Sequence, residues 1–135
     1  MSEAKRSEGP QHPIVVCLCG STRFYDAWQE ANFQETLAGK IVLSVGFYPH
    51  CSDRAHAAHV GVTPEQKIAL DELHKRKIDL ADEVLILNVG GYIGASTRSE
   101  LEYAIAHGKR VRYLEPHNTG LCGGTPAAEA KGKEA

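Results

Sequence analysis

Residues 14–23 read Ile14-Val15-Val16-Cys17-Leu18-Cys19-Gly20-Ser21-Thr22-Arg23, an unbroken apolar run that stops at a glycine and continues into hydroxyl and guanidinium side chains. A run without alternation is the pattern of a strand covered on both faces, as in a parallel sheet. Downstream, Ala27, Trp28, Ala31 and Ala38 recur near helical spacing over about 25–38, and Gly39-Lys40 supplies a glycine stop with a cation beside it. Ile41 to Val45 is a second strand. Thr63-Pro64-Glu65-Gln66 combines an N-cap, a proline at the first helical position and a capping-box glutamine, and Ala69, Leu73 and Leu80 form one stripe of the helix that follows. Val84-Leu85-Ile86-Leu87 is a third strand, 97–107 a third helix with Gly108 as its stop, and Val111-Arg112-Tyr113-Leu114 a fourth strand.

Strands alternating with helices force a mostly parallel sheet. The expected fold is therefore α/β, a single flavodoxin- or Rossmann-like three-layer sandwich with four or five parallel strands in the order 2-1-3-4. In that order the winding reverses between strands one and three, and ligands bind beyond the carboxyl ends of those strands. The loops found there are the 19–23 turn and the segment Asn88-Val89-Gly90-Gly91-Tyr92-Ile93-Gly94-Ala95-Ser96-Thr97-Arg98-Ser99-Glu100. Glycines let backbone amides approach an anion, and Ser21, Arg23 and Ser96 add hydroxyl and guanidinium donors. Cys19, Gly20, Asn88, Gly91, Tyr92 and Gly94 are expected to line the same pocket, with Tyr92 offering either a face to a base or a packing surface to its own domain.

The chain has 135 residues, 42% of them hydrophobic, which suits one domain spanning 13–116 between disordered segments at 1–12 and 117–135. Fifteen basic against seventeen acidic residues give a net charge of -2, so no bulk field attracts a nucleic-acid polymer or a membrane surface. No apolar stretch has the length of a signal peptide core or a membrane span, and a cytoplasmic location is expected. Cysteines 17, 19, 51 and 122 form no regular framework and are read as reduced thiols. The stretch 46–61 has no clear period and is read as a long loop. Its His50, Cys51, His56 and His59, with Cys17 or Cys19, match no well-defined zinc spacing, so no metal and no cofactor is assigned.

Glu100 admits two readings. Thr97-Arg98-Ser99-Glu100 fits a capping box, in which the glutamate merely bonds the N-cap amide. Alternatively, a carboxylate in the first helical turn is held ionised by the helix dipole and suits a nucleophile directed at an anomeric carbon. Ser99-Glu100-Leu101-Glu102-Tyr103-Ala104 followed by Gly108-Lys109 and a strand, the 19–23 turn, and Ala81-Asp82-Glu83-Val84 together resemble the nucleoside 2-deoxyribosyltransferase superfamily over roughly residues 14–115, most of all its 2′-deoxynucleoside 5′-monophosphate N-hydrolase branch. The resemblance implies that Glu100 is a nucleophile forming a glycosyl-enzyme intermediate. It implies that Ser21, Arg23 and Ser96 contact phosphate, that the ligand is a nucleoside or nucleotide, and that the protein is a homodimer or larger even assembly. Where that superfamily carries an aspartate on the helix before strand three, this chain has His74. A histidine with an ordinary pKa near ~6.5 can still protonate a leaving base, and Asp79 is the alternative acid.

Two rivals remain. Cys17 to Arg23 satisfies Cys-x5-Arg after the first strand, which resembles low-molecular-weight tyrosine phosphatases, although Phe24 replaces the usual hydroxyl and no late Asp-Pro is present. The other is a nucleotide-binding sensor without turnover.

Overall fold

The computed structural model describes residues 12–46 and 62–116. The expectations of disorder at both ends and of a long loop bearing His50, Cys51, His56 and His59 concern residues outside those described. Among the described residues the regular elements are β1 (Val15–Cys19), α1 (Tyr25–Leu37), β2 (Ile41–Leu43), α2 (Pro64–Leu80), β3 (Glu83–Ile86), α3 (Ala95–Ala106) and β4 (Arg110–Tyr113), with a 3-10 turn at Val89–Gly91. The four strands form one parallel sheet in the order β2-β1-β3-β4, which is the expected 2-1-3-4 topology. No helix among the described residues is long and apolar enough to cross a membrane.

Because side chains alternate across a strand, each central strand feeds two cores. Val16, Leu18, Leu85 and Leu87 pack with Trp28 and Ala31 of α1 on one face. Cys17, Cys19, Val84 and Ile86 pack with Ile78 and Ala81 at the end of α2, and with Leu101 and Ala104 of α3, on the other. Residues 16–19 of the apolar run are thus covered on both sides, as its lack of alternation implied, while Ile14 stays exposed.

The Thr63 capping box is complete: Gln66 N–H donates to Thr63 Oγ1 at 3.0 Å and Thr63 N–H to Gln66 Oε1 at 2.9 Å. Gly39 and Gly108 take positive φ of 87° and 72° just beyond α1 and α3, as expected of helix stops. The stripe expected on α2 is a different one. Ala69, Leu73 and Leu80 face outward, and the core-facing residues are His74 and Ile78. A helical period fixes which residues share a face but not which face meets the sheet, and here the sheet takes the face that carries the histidine.

α3 also starts earlier than expected. Gly94 is its N-cap, without a side-chain bond, so Ala95 rather than a residue after Thr97 opens the helix.

Candidate functional site

At the carboxyl end of β1 the chain turns through 20–23. Gly20 is required there by close approach to the neighbouring strand, since a Cβ on it would lie 2.9 Å from the Cβ of Leu87. Ser21 organises the turn. Its carbonyl accepts from Phe24 N–H at 3.1 Å and from Trp28 Nε1 at 2.9 Å, and its hydroxyl accepts from Arg23 N–H at 3.2 Å. The Arg23 guanidinium stands 4.7 Å from the centroid of the Tyr92 ring, whose other neighbour is Phe24, edge-on at 5.9 Å. The two loops therefore converge where the topology demands. Tyr92 packs on its own domain, with Arg23 over its ring. Gly91 makes the loop's reversal with φ 84°, and Gly94 lies hard against the Tyr92 hydroxyl.

Asn88 is engaged in a contact within the fold. It is fully buried, and its amide donates to Glu115 O at 3.0 Å while its carbonyl accepts from Glu115 N–H at 2.9 Å, fastening the end of β3 to the chain beyond β4. Asp79 is elsewhere. It lies on the exposed side of α2, accepting from Tyr103 Oη at 2.6 Å and paired with Arg76 at 2.9 Å, so it is not among the groups around Glu100.

Beneath the convergence of the loops, four polar groups sit in an otherwise apolar core. Cys17 and Cys19 project from β1 toward α2 and α3, and His74 Nε2 lies 3.6 Å from each sulfur. Nε2 is also 2.9 Å from the Leu18 carbonyl oxygen, which can only accept, so this nitrogen carries a proton. Glu100, 8% exposed, completes the group by interacting with the Cys19 thiol at the last residue of β1.

The four perturb one another. Burial is the main reason the Glu100 carboxyl is pushed up to about 7, with His74 opposing and Cys17 adding to the rise. The Cys17 thiol is lowered to about 6, first by a hydrogen bond from Cys19 and, against the cost of burial, also by His74. Cys19 is pushed up, by its bond to Cys17 and by burial. Burial alone would lower His74, but Cys17 and Glu100 outweigh it and the imidazole is raised.

The local premise of each reading of Glu100 is corrected by where α3 begins. With α3 beginning at Ala95, Glu100 stands in the second turn, so no capping box forms at Thr97. The first-turn dipole is also out of reach, and the carboxyl is not held ionised but shifted toward the protonated form. Glu83, the other buried glutamate, makes the contrast. Burial raises it too, but Lys40 at 2.7 Å, Arg112 at 2.9 Å and Arg110 at 3.0 Å more than compensate, and it is held below the usual carboxylate range. Among the described residues Glu100 has no lysine or arginine partner.

Two groups escaped the sequence reading. Lys67 donates to Ser96 Oγ at 2.9 Å and to Asp71 Oδ2 at 2.7 Å, tying α2 to the first turn of α3. Asp71 also raises Glu100. Their signal was the 67, 71, 74 spacing, which shares one helical face with His74 but carries no apolar residue to draw notice.

The Cys-x5-Arg reading does not fit the backbone. Cys17 is paired in the sheet with Leu43 and Val84, and Leu18 and Cys19 continue the ladder, so Cys17 stands inside the strand and the turn begins only at Gly20. Cys17, Cys19 and His74 are instead a set of donor atoms that could hold a metal ion. Comparison with family models, curated proteins and solved structures finds no match for this chain.

Proposed function

We propose that this chain cleaves or transfers the N-glycosidic bond of a nucleoside or nucleoside 5′-monophosphate, with Glu100 as the nucleophile. The observation that carries the reading is a buried glutamate with no lysine or arginine partner among the described residues, at the carboxyl end of β1, beside the point where the winding of the sheet reverses. Ligands bind at such a reversal in open α/β sheets, and a carboxyl strongly perturbed by burial in such a place is a candidate for catalysis.

In this mechanism a Glu100 oxygen forms a bond to C1′ as the C1′–N bond breaks, and the departing base takes a proton from solvent, to which the attacking water later returns one. Water, or a second base, then attacks C1′ and frees the carboxylate; two displacements retain configuration. A pKa of about 7 leaves a substantial ionised fraction at neutral pH, and desolvation raises the carboxylate's basicity. His74 is a positioning residue: its Nε2 points into the core and its charge favours the ionised form of Glu100. Asp71, one turn earlier on the same face, is assigned the leaving base. Lys67, Ser96 and Arg23 supply donors for a phosphate or sugar hydroxyls. No cofactor is needed for these steps. Exposed Ile68, Leu73 and Leu80 on α2 and Ile105 on α3 support the expectation of a homodimer.

The test is a panel of nucleosides and 5′-monophosphates assayed for free base by chromatography. One of the panel should release base with the wild-type chain and at least ~10²-fold less with Glu100→Gln, and a 2-fluoro sugar analogue should leave a glycosyl adduct on the peptide containing Glu100. Calorimetric binding with no turnover by any variant would replace the enzyme with a sensor.

A further inference from the structure

The glycosidic chemistry leaves two buried thiols without a task. Alternation along β1 puts Cys17 and Cys19 on the same face, and α2 brings His74 across to them. Each sulfur lies 3.6 Å from Nε2, and the three donor atoms all fall within 4.8 Å of one another. A tetrahedral zinc ion with bonds of ~2.3 Å to sulfur and ~2.0–2.1 Å to nitrogen separates sulfur from nitrogen by about 3.6 Å and the two sulfurs by about 3.8 Å. The two sulfur–nitrogen distances match the first of these edges.

We propose that Cys17, Cys19 and His74 form a binding site for a divalent transition-metal ion of borderline softness, zinc above all. Charge balance supports it, because two thiolates neutralise a divalent cation among the apolar side chains of Ile78, Val84, Ile86, Leu101 and Ala104, where an unbalanced charge is costly. Ligand type supports it as well: two thiolates and an imidazole in tetrahedral array suit zinc, while magnesium and calcium want oxygen. The ordinary role of buried cysteines is to act as small apolar groups, which leaves a histidine aimed between two sulfurs unexplained. Nε2 donates to the Leu18 carbonyl in the metal-free arrangement. Coordination displaces that proton, which moves to Nδ1 in a neutral imidazole or is released from a charged one, and any protonated thiol releases its own. Three protein ligands leave a fourth position for water, and Glu100 borders the site without being required by it.

The experiment is a cobalt(II) titration of the full, reduced, chelator-treated chain under anaerobic conditions. The expected result is a thiolate-to-cobalt charge-transfer band that saturates at one equivalent and is displaced by zinc. The double variant Cys51→Ser, Cys122→Ser should give the same spectrum. Cys17→Ser and Cys19→Ser should each roughly halve the band and weaken zinc binding at least ~10-fold, with circular dichroism reporting that they fold. Absence of the band in the wild-type chain overturns the proposal without reference to any variant. A band lost in the double serine variant also overturns it, by assigning the ion to the other thiols. Base release is measured separately, and Glu100→Gln should abolish that release while keeping the band, so either proposal can fail alone.

Discussion

Two glutamates buried to a similar degree behave in opposite ways, and the difference is their neighbours. Glu83 is surrounded by Lys40, Arg110 and Arg112, stays ionised and pins the amino end of β3. Removing its charge strands those cations, so Glu83→Gln should cost about 3 kcal/mol in denaturant unfolding. Glu100 lacks such partners, and its folded pKa of about 7 lies above the unfolded value of 4.5. A raised carboxyl contributes stability that is complete below the unfolded pKa and disappears as pH climbs through the folded one. With chelator present to keep ions off the neighbouring thiols, the wild-type chain should therefore lose up to about 3 kcal/mol between pH 4.5 and 8 relative to Glu100→Gln. Unfolding curves at the two pH values check this, and a constant gap between wild type and variant would falsify the burial argument.

Among elements, the close contact of β1 and β3 decides which small residues are tolerated. Gly20 faces Leu87 so tightly that Gly20→Ala must displace the strand end, at about 1–3 kcal/mol and with the 20–23 turn shifted. Restoring space with Leu87→Ala in the same chain should recover part of that loss; additivity of the two penalties would argue against a direct clash. Asn88 joins β3 to the segment after β4 through both ends of its amide, so Asn88→Ala leaves the Glu115 backbone groups without their partner and should cost about 1–3 kcal/mol. A ligand-contacting Asn88 would instead give normal stability and weakened binding, which equilibrium unfolding and calorimetry separate. α2 carries the lesson about patterning. Its capping box was legible to the residue, yet its buried stripe was not, because Leu73 and Leu80 outrank His74 in any hydrophobic count while the core receives His74.

For the molecule as a whole, the doubly wound sheet separates two polar clusters, one around Glu83 at the amino edge and one around Glu100 at the carboxyl edge. The first is closed by ion pairs and the second is not, which is why function is assigned to the second. Leu73 and Leu80 lie seven residues apart and share an exposed face of α2. If that face seats a second copy, Leu73→Lys with Leu80→Lys should convert a dimeric mass in light scattering to a monomeric one. A monomeric wild-type chain at assay concentration would remove the dimer from the proposal.

The sequence by itself determined the alternation of elements, the parallel sheet, its strand order and the two loops that meet at the reversal, because unbroken apolar runs, capping residues and glycine stops are local signals. It also singled out Glu100, Gly20 and Arg23. Only the tertiary structure decided where α3 begins, that Asn88 and Asp79 serve other contacts, and that His74 joins two thiols inside the core. Those outcomes depend on which helical face turns inward and on distances between residues 55 or 57 positions apart, and no local pattern in the chain encodes either.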